Sequence, residues 1–89
     1  MTQSNTASSS RAPLRVALIG FGTVGSSVAR ILVERPELAL RLTLTHVYNR
    51  DVARKRVDWV PSSVIWTERI EDVLAGKPDV VVEIGRAHV

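Results

Sequence analysis

Cysteine is absent, which excludes a disulfide framework, a thiolate metal site and a cysteine nucleophile, and agrees with a cytoplasmic protein. Long apolar runs are missing as well. None approaches the ~18 residues a membrane span needs, and the first residues carry no apolar stretch behind a basic start, so neither a membrane partner nor a secretory leader is expected. Aromatic residues are scarce at 4%, and the formal charge is only +3. The basic residues are scattered except at Arg50, Arg54, Lys55 and Arg56. A nucleic-acid partner would want a broader basic face with aromatic or groove-reading elements, so none is expected either. Length sets the last bound: 89 residues leave room for one core, and a body of ~60 ordered residues buries only about 60% of the surface its unfolded form exposes.

What is present is organised. Residues 1–13 are mostly Ser, Thr, Gln and Asn without hydrophobic periodicity and are expected to be a disordered tail. Val16, Ala17, Leu18 and Ile19 then form a continuous apolar run ending at Gly20, the pattern of a strand buried on both faces. From Thr23 the period becomes helical, with Val24, Val28, Ile31 and Leu32 predicted on the inner face until Pro36 ends the helix. Leu40, Leu42 and Leu44 alternate with polar residues up to Val47 and Tyr48, predicting a second strand. A short helical turn over residues 51–56 follows, then a brief strand at Val64, Ile65 and Trp66. Thr67 is the expected cap of the next helix, with Glu68 and Glu71 at its positive end and Ile70, Val73 and Leu74 inward. Gly76, Lys77 and Pro78 stop that helix, and Val80, Val81 and Val82 make a fourth strand. This alternation predicts an α/β fold: about four strands of a doubly wound parallel sheet in the order 3-2-1-4, with helices on both faces in three layers.

The chemistry sits between the first strand and first helix, where Gly20, Phe21, Gly22, Thr23, Val24 and Gly25 spell G-x-G-x-x-G. In a strand–turn–helix setting this is the Rossmann dinucleotide fingerprint: the first glycine makes the turn, the second admits a pyrophosphate, and the third lets the helix pack close. Free amides at the helix start, with the Ser26 hydroxyl, would face the phosphates. Cofactor choice is read where the second strand ends, at Asn49, Arg50 and Asp51. Arg50 turned to the ribose favours NADP, Asp51 favours NAD; the neutral first residue and the basic surroundings favour NADP. His46 is a lone histidine in a strand and is expected to be packed rather than catalytic. Trp59 and Trp66 could flank an adenine, although packing is their commoner use. No catalytic and no metal-binding residue is assigned.

Arg15-Val-Ala-Leu-Ile-Gly-Phe-Gly-Thr-Val-Gly-Ser-Ser-Val, the Asn49-Arg50-Asp51 triplet with its basic sequel, and Asp79-Val-Val-Val-Glu83 together resemble the opening of bacterial homoserine dehydrogenases. The resemblance covers residues 14–83, as the N-terminal part of a Rossmann NAD(P)-binding domain. It implies a parent oxidoreductase that interconverts aspartate semialdehyde and homoserine, in threonine and methionine biosynthesis. It places the cofactor phosphates on residues 20–26 and Arg50 near the adenosine ribose. The residues that handle substrate lie beyond this stretch in that family, so the fragment alone is expected to be inactive, its small-molecule substrate belongs to the parent, and a homo-oligomeric parent is left open. Another dehydrogenase with this domain, such as an aspartate dehydrogenase, and a non-catalytic nicotinamide-sensing module are the alternatives at this point.

After Glu83 the resembling proteins usually continue with an apolar residue and a Gly-Gly pair, whereas this chain reads Ile84, Gly85, Arg86, Ala87, His88, Val89. Codons for residues 83–89 can be written so that, after their first base, they match a widely used sequencing-library adapter. Residues 84–89 are therefore expected to be adapter-derived, with the natural chain continuing past Val82 or Glu83. Underlying DNA that differs from the adapter would refute this.

Overall fold

The computed structural model describes residues 13–83. The expectations for residues 1–12 and 84–89 lie outside the described residues. Eight elements follow one another: β1 (Leu14–Ile19), α1 (Thr23–Glu34), α2 (Pro36–Ala39), β2 (Leu42–Tyr48), α3 (Val52–Lys55), β3 (Ile65–Thr67), α4 (Ile70–Ala75) and β4 (Val80–Glu83). The four strands form one sheet in the order β3-β2-β1-β4, with every pairing parallel. This is the expected 3-2-1-4 order.

The apolar run of β1 takes the centre because three consecutive residues, Val16, Ala17 and Leu18, are buried, and only an inner strand has cover on both faces. Leu18 and Val47 pair side by side and share one cluster with Phe21, Ala29, Leu44, Val60 and Val64, so α1 covers this face. Burying a side chain of this size stabilises the fold by about 1.5–3 kcal/mol. The opposite face carries Ala17 beside His46, under α4, whose Gly76 cap lies against the His46 ring. Helices thus cover both faces, giving three layers.

β2 departs from strict alternation. Its register against β1 shifts between Val16 and Ala17, leaving Thr45 without a partner, so that Val16 faces Leu44 while Leu18 faces Val47. The bulge puts Leu44 and Val47, three residues apart, on one face and turns His46 to the other. The Thr45 hydroxyl donates to the Val16 carbonyl at 3.2 Å.

Four expectations are corrected. The second strand begins at Leu42, not Leu40: Pro36, with its φ pre-set for a first helical position, starts the one-turn helix α2, and Leu40 is 77% exposed. On α1 the buried residues are Gly25 and Ala29, with Val28, Leu32 and Val33 against the core. Val24 and Ile31 are exposed, because the helix docks through its small residues and rotates that stripe inward. On α4 only Val73 is buried, while Ile70 and Leu74 are exposed. Finally, Thr67 ends β3 and is buried. Arg69 holds the cap position of α4 without a side-chain cap bond; Thr67 instead accepts from the Arg69 amide at 3.0 Å and donates to the Asp72 carboxylate.

Candidate functional site: the glycine turn and the end of the second strand

The glycine turn leaves β1 at Gly20, whose φ of 109° lies where side-chain-bearing residues are strained. The Gly20 amide donates to the Tyr48 carbonyl at 2.8 Å, which holds the turn against the end of β2. Gly25 sits in the first turn of α1, and a Cβ there would collide with the Gly20 carbonyl oxygen and lie 3.0 Å from its carbon. Helix and turn can approach this closely only without that side chain. Gly22 is different: a Cβ would meet nothing within 4 Å, so the space over this residue is open. The three glycines therefore serve torsion, packing and clearance respectively.

Gly22 is also the N-cap of α1, makes no side-chain cap bond, and is followed by a first turn without an acidic residue. The first amides of the helix thus keep their positive end uncompensated by protein. Thr23 and Val24 are exposed beside them. The Ser26 hydroxyl donates back to the Thr23 carbonyl at 3.0 Å, as does that of Ser27, so the Ser26 proton is already engaged. Phe21 is a core residue: its ring is 4% exposed, meets Trp66 edge-on with centroids 4.8 Å apart and Trp59 at 6.1 Å. Only its backbone faces the turn. Trp59 carries the Arg30 guanidinium 4.4 Å above its ring. Both tryptophans are accounted for by packing.

Past β2, Asn49 donates its amide to the Thr67 carbonyl at 3.0 Å, and its side-chain oxygen accepts from the Asp51 amide at 2.9 Å. The Asp51 carboxylate caps α3 by accepting from the Arg54 amide at 3.3 Å. Glu68 accepts from the Val52 amide at 2.9 Å. Arg50, between these fastened residues, is exposed and has no ion-pair partner among the described residues. The sequence marked Asn49 only as the neutral residue of the strand end and Glu68 only as an acid suited to the start of α4; their bonds to Asp51 and Val52 were not expected. An Asn two residues before an Asp signals such a turn, but nothing local links Glu68 to a residue sixteen positions away.

His46 stands apart from this site. It is 4% exposed, and its Nδ1 lies 2.9 Å from Thr45 Oγ1. With that hydroxyl's proton given to Val16, the contact is a hydrogen bond in the tautomer that carries the hydrogen on Nδ1. Burial holds its pKa below the ordinary value of 6.5, Arg15 adds to the effect and Asp72 partly offsets it. It is a packed histidine whose burial disfavours the charged form. Among the described residues no cluster of three or more metal-ligating side chains occurs, and no helix is long and apolar enough to cross a membrane.

A parallel sheet whose central strand runs through a glycine turn into an uncapped helix defines the class of Rossmann-type dinucleotide-binding domains. The comparisons narrow the class. The family model for the NAD-binding domain of homoserine dehydrogenase matches residues 20–89, and the chain belongs to this family. It is 32% identical over 76 residues to the homoserine dehydrogenase of Bacillus subtilis (strain 168), covering 80% of this chain and 18% of that protein. Crystal structures of S. aureus homoserine dehydrogenase superpose with TM-scores of 0.71 at pH 7.5 and 0.66 at pH 6.0, at 29% and 30% identity. They cover 85% and 82% of this chain and 20% of those chains. The chain thus spans about one fifth of the length of these relatives. Its cofactor class is nicotinamide dinucleotide.

Proposed function

We propose that this chain is the dinucleotide-binding portion of an NAD(P)-dependent homoserine dehydrogenase, a cytoplasmic oxidoreductase acting between aspartate semialdehyde and homoserine, and that it prefers NADP. The observation that carries the reading is the open, uncapped start of α1 over Gly22. The backbone of Gly20, Phe21, Gly22, Thr23, Val24, Gly25 and Ser26 forms the cradle, with the amides after Gly22 donating to the pyrophosphate. When bound, the nicotinamide supplies hydride transfer to or from the carbonyl carbon of the substrate. This chain's own residues bind and orient; no group in it is assigned to proton transfer.

The preference for NADP rests on the strand end. One oxygen of the Asp51 carboxylate accepts from the Arg54 amide at the α3 cap, which holds this acid at the helix start. Arg50 is exposed and unpaired among the described residues, free to meet a 2′-phosphate. Titration with NADP and with NAD, read by quenching of Trp66 and Trp59, tests both parts. Native protein binds NADP more tightly. Arg50→Ala weakens NADP by about tenfold, the scale of one exposed charge-assisted contact, and leaves NAD within about twofold. Equal loss for both cofactors would refute the assignment of Arg50.

A further inference from the structure

Two consecutive residues at the end of β3 grip both sides of the Arg50 turn. The Thr67 carbonyl accepts from Asn49 at 3.0 Å, and the Glu68 carboxylate accepts from Val52 at 2.9 Å. Among the described residues the remaining hydrogen bonds of Asn49, Arg50 and Asp51 stay within the segment: Asn49 to Asp51, and Asp51 to Arg54 and Lys55. Thr67 acts through its backbone, so any residue there keeps that anchor. Glu68 acts through its side chain alone and, among the described residues, is the one side chain outside the segment that hydrogen-bonds its far end. Without it the hydrogen bonds of the described residues fasten the turn to β3 at Asn49 alone.

We propose that Glu68 is a positioning residue for cofactor selectivity: by holding the Val52 amide it fixes the turn that presents Arg50 to the 2′-substituent of the adenosine ribose. The inference rests on the reading of Arg50 given above. This role needs no contact between Glu68 and cofactor or substrate. Its effect is to restrict the directions from which Arg50 can reach, so that less ordering is needed when a 2′-phosphate arrives. The role is one of hydrogen-bond acceptance, which a glutamine oxygen can also perform. This separates fastening from charge, because a carboxylate acting by charge would oppose a phosphate.

The 89-residue chain and its Glu68→Ala, Glu68→Gln and Arg50→Ala variants are titrated with NADP and NAD by tryptophan fluorescence. Hydrogen exchange of the Val52 amide is measured alongside. Glu68→Ala is expected to weaken NADP by about fivefold, the scale of one exposed amide–carboxylate bond, with NAD unchanged and Val52 exchange accelerated. Glu68→Gln is expected to restore the native cofactor ratio and slow exchange. An unchanged ratio in Glu68→Ala, equal loss of both cofactors, or tighter NADP binding in Glu68→Gln overturns the proposal, as does native Val52 exchange in Glu68→Ala. If Arg50→Ala lowers the ratio and Glu68→Ala does not, the positioning role alone fails. If Arg50→Ala leaves the ratio native, the reading of Arg50 fails and takes this one with it.

Discussion

Adding one methyl group at Gly25 should unfold much of what one at Gly22 leaves standing. In Gly25→Ala the new Cβ would overlap the Gly20 carbonyl oxygen and sit 3.0 Å from its carbon. Both atoms are backbone, and Gly20 is itself pinned by its bond to Tyr48, so neither can yield cheaply. Overpacking against a stiff neighbour costs about 3 kcal/mol at the upper end of the usual range. Alanine recovers ~0.5–1 kcal/mol of helix propensity, which leaves a net loss of ~2 kcal/mol. In a domain of this size each kcal/mol moves Tm by roughly 4–8 °C, so Tm should fall by ~8–16 °C. In Gly22→Ala the Cβ meets no protein atom within 4 Å and the backbone φ is −86°, so Tm should hold within ~3 °C. The same methyl would occupy the clearance assigned to the pyrophosphate, and dinucleotide affinity should drop by about tenfold or more. Thermal melts by far-ultraviolet circular dichroism and NADP titrations on both variants read the two effects. Native stability in Gly25→Ala, or native affinity in Gly22→Ala, would refute the division of labour among the glycines.

Other expectations follow from the far face of the sheet. Because burial holds the His46 pKa below 6.5, the unfolded chain takes up a proton that the native state refuses once pH drops under that value. Stability is therefore undiminished above pH 6.5 and declines as pH falls toward the native pKa. The urea midpoint should fall between pH 7.5 and 5.5, and His46→Gln should flatten that slope; an equal slope in the variant would count against it. At the end of α4, Gly76 has an ordinary φ of −75° and its missing side chain makes room for the His46 ring, whereas Lys77 holds the left-handed torsion at φ 51°. Gly76→Ala should destabilise by ~2 kcal/mol and Lys77→Gly should stabilise by ~1 kcal/mol, as read by chemical denaturation. A reversal of these signs would contradict the assignment.

The parts of the fold legible in the sequence were those set by short-range pattern. The continuous apolar run of β1, the change to helical period at Thr23 and the valines of β4 declare themselves locally, and the parallel order follows from their alternation. The glycine turn was legible because each glycine has its own geometric reason. What the sequence hid depends on contacts between distant segments. The buried stripe of α1 runs through Gly25 and Ala29 because close packing favoured small residues over Val24 and Ile31. The bulge at Thr45 is set by register against β1, although the three-residue spacing of Leu44 and Val47 was its trace. Gly76 is the helix stop that the sequence indicated, but that its missing side chain also makes room for the His46 ring of β2 was not visible there. At the strand end, Arg50 and Asp51 were visible as competitors for the ribose. The Asp51 cap on α3 is a local bond three residues long, whereas the bond that fastens Val52 to Glu68 exists only once β2 and β3 lie side by side.

Amide chemical-shift mapping of the isotope-labelled chain during NADP titration tests the central claim that the glycine turn is the dinucleotide cradle. The account predicts saturable shifts concentrated at Gly22, Thr23, Val24 and Gly25, with a second group at Arg50 and Asp51. Shifts centred on α4 and His46, or none that saturate, would contradict it.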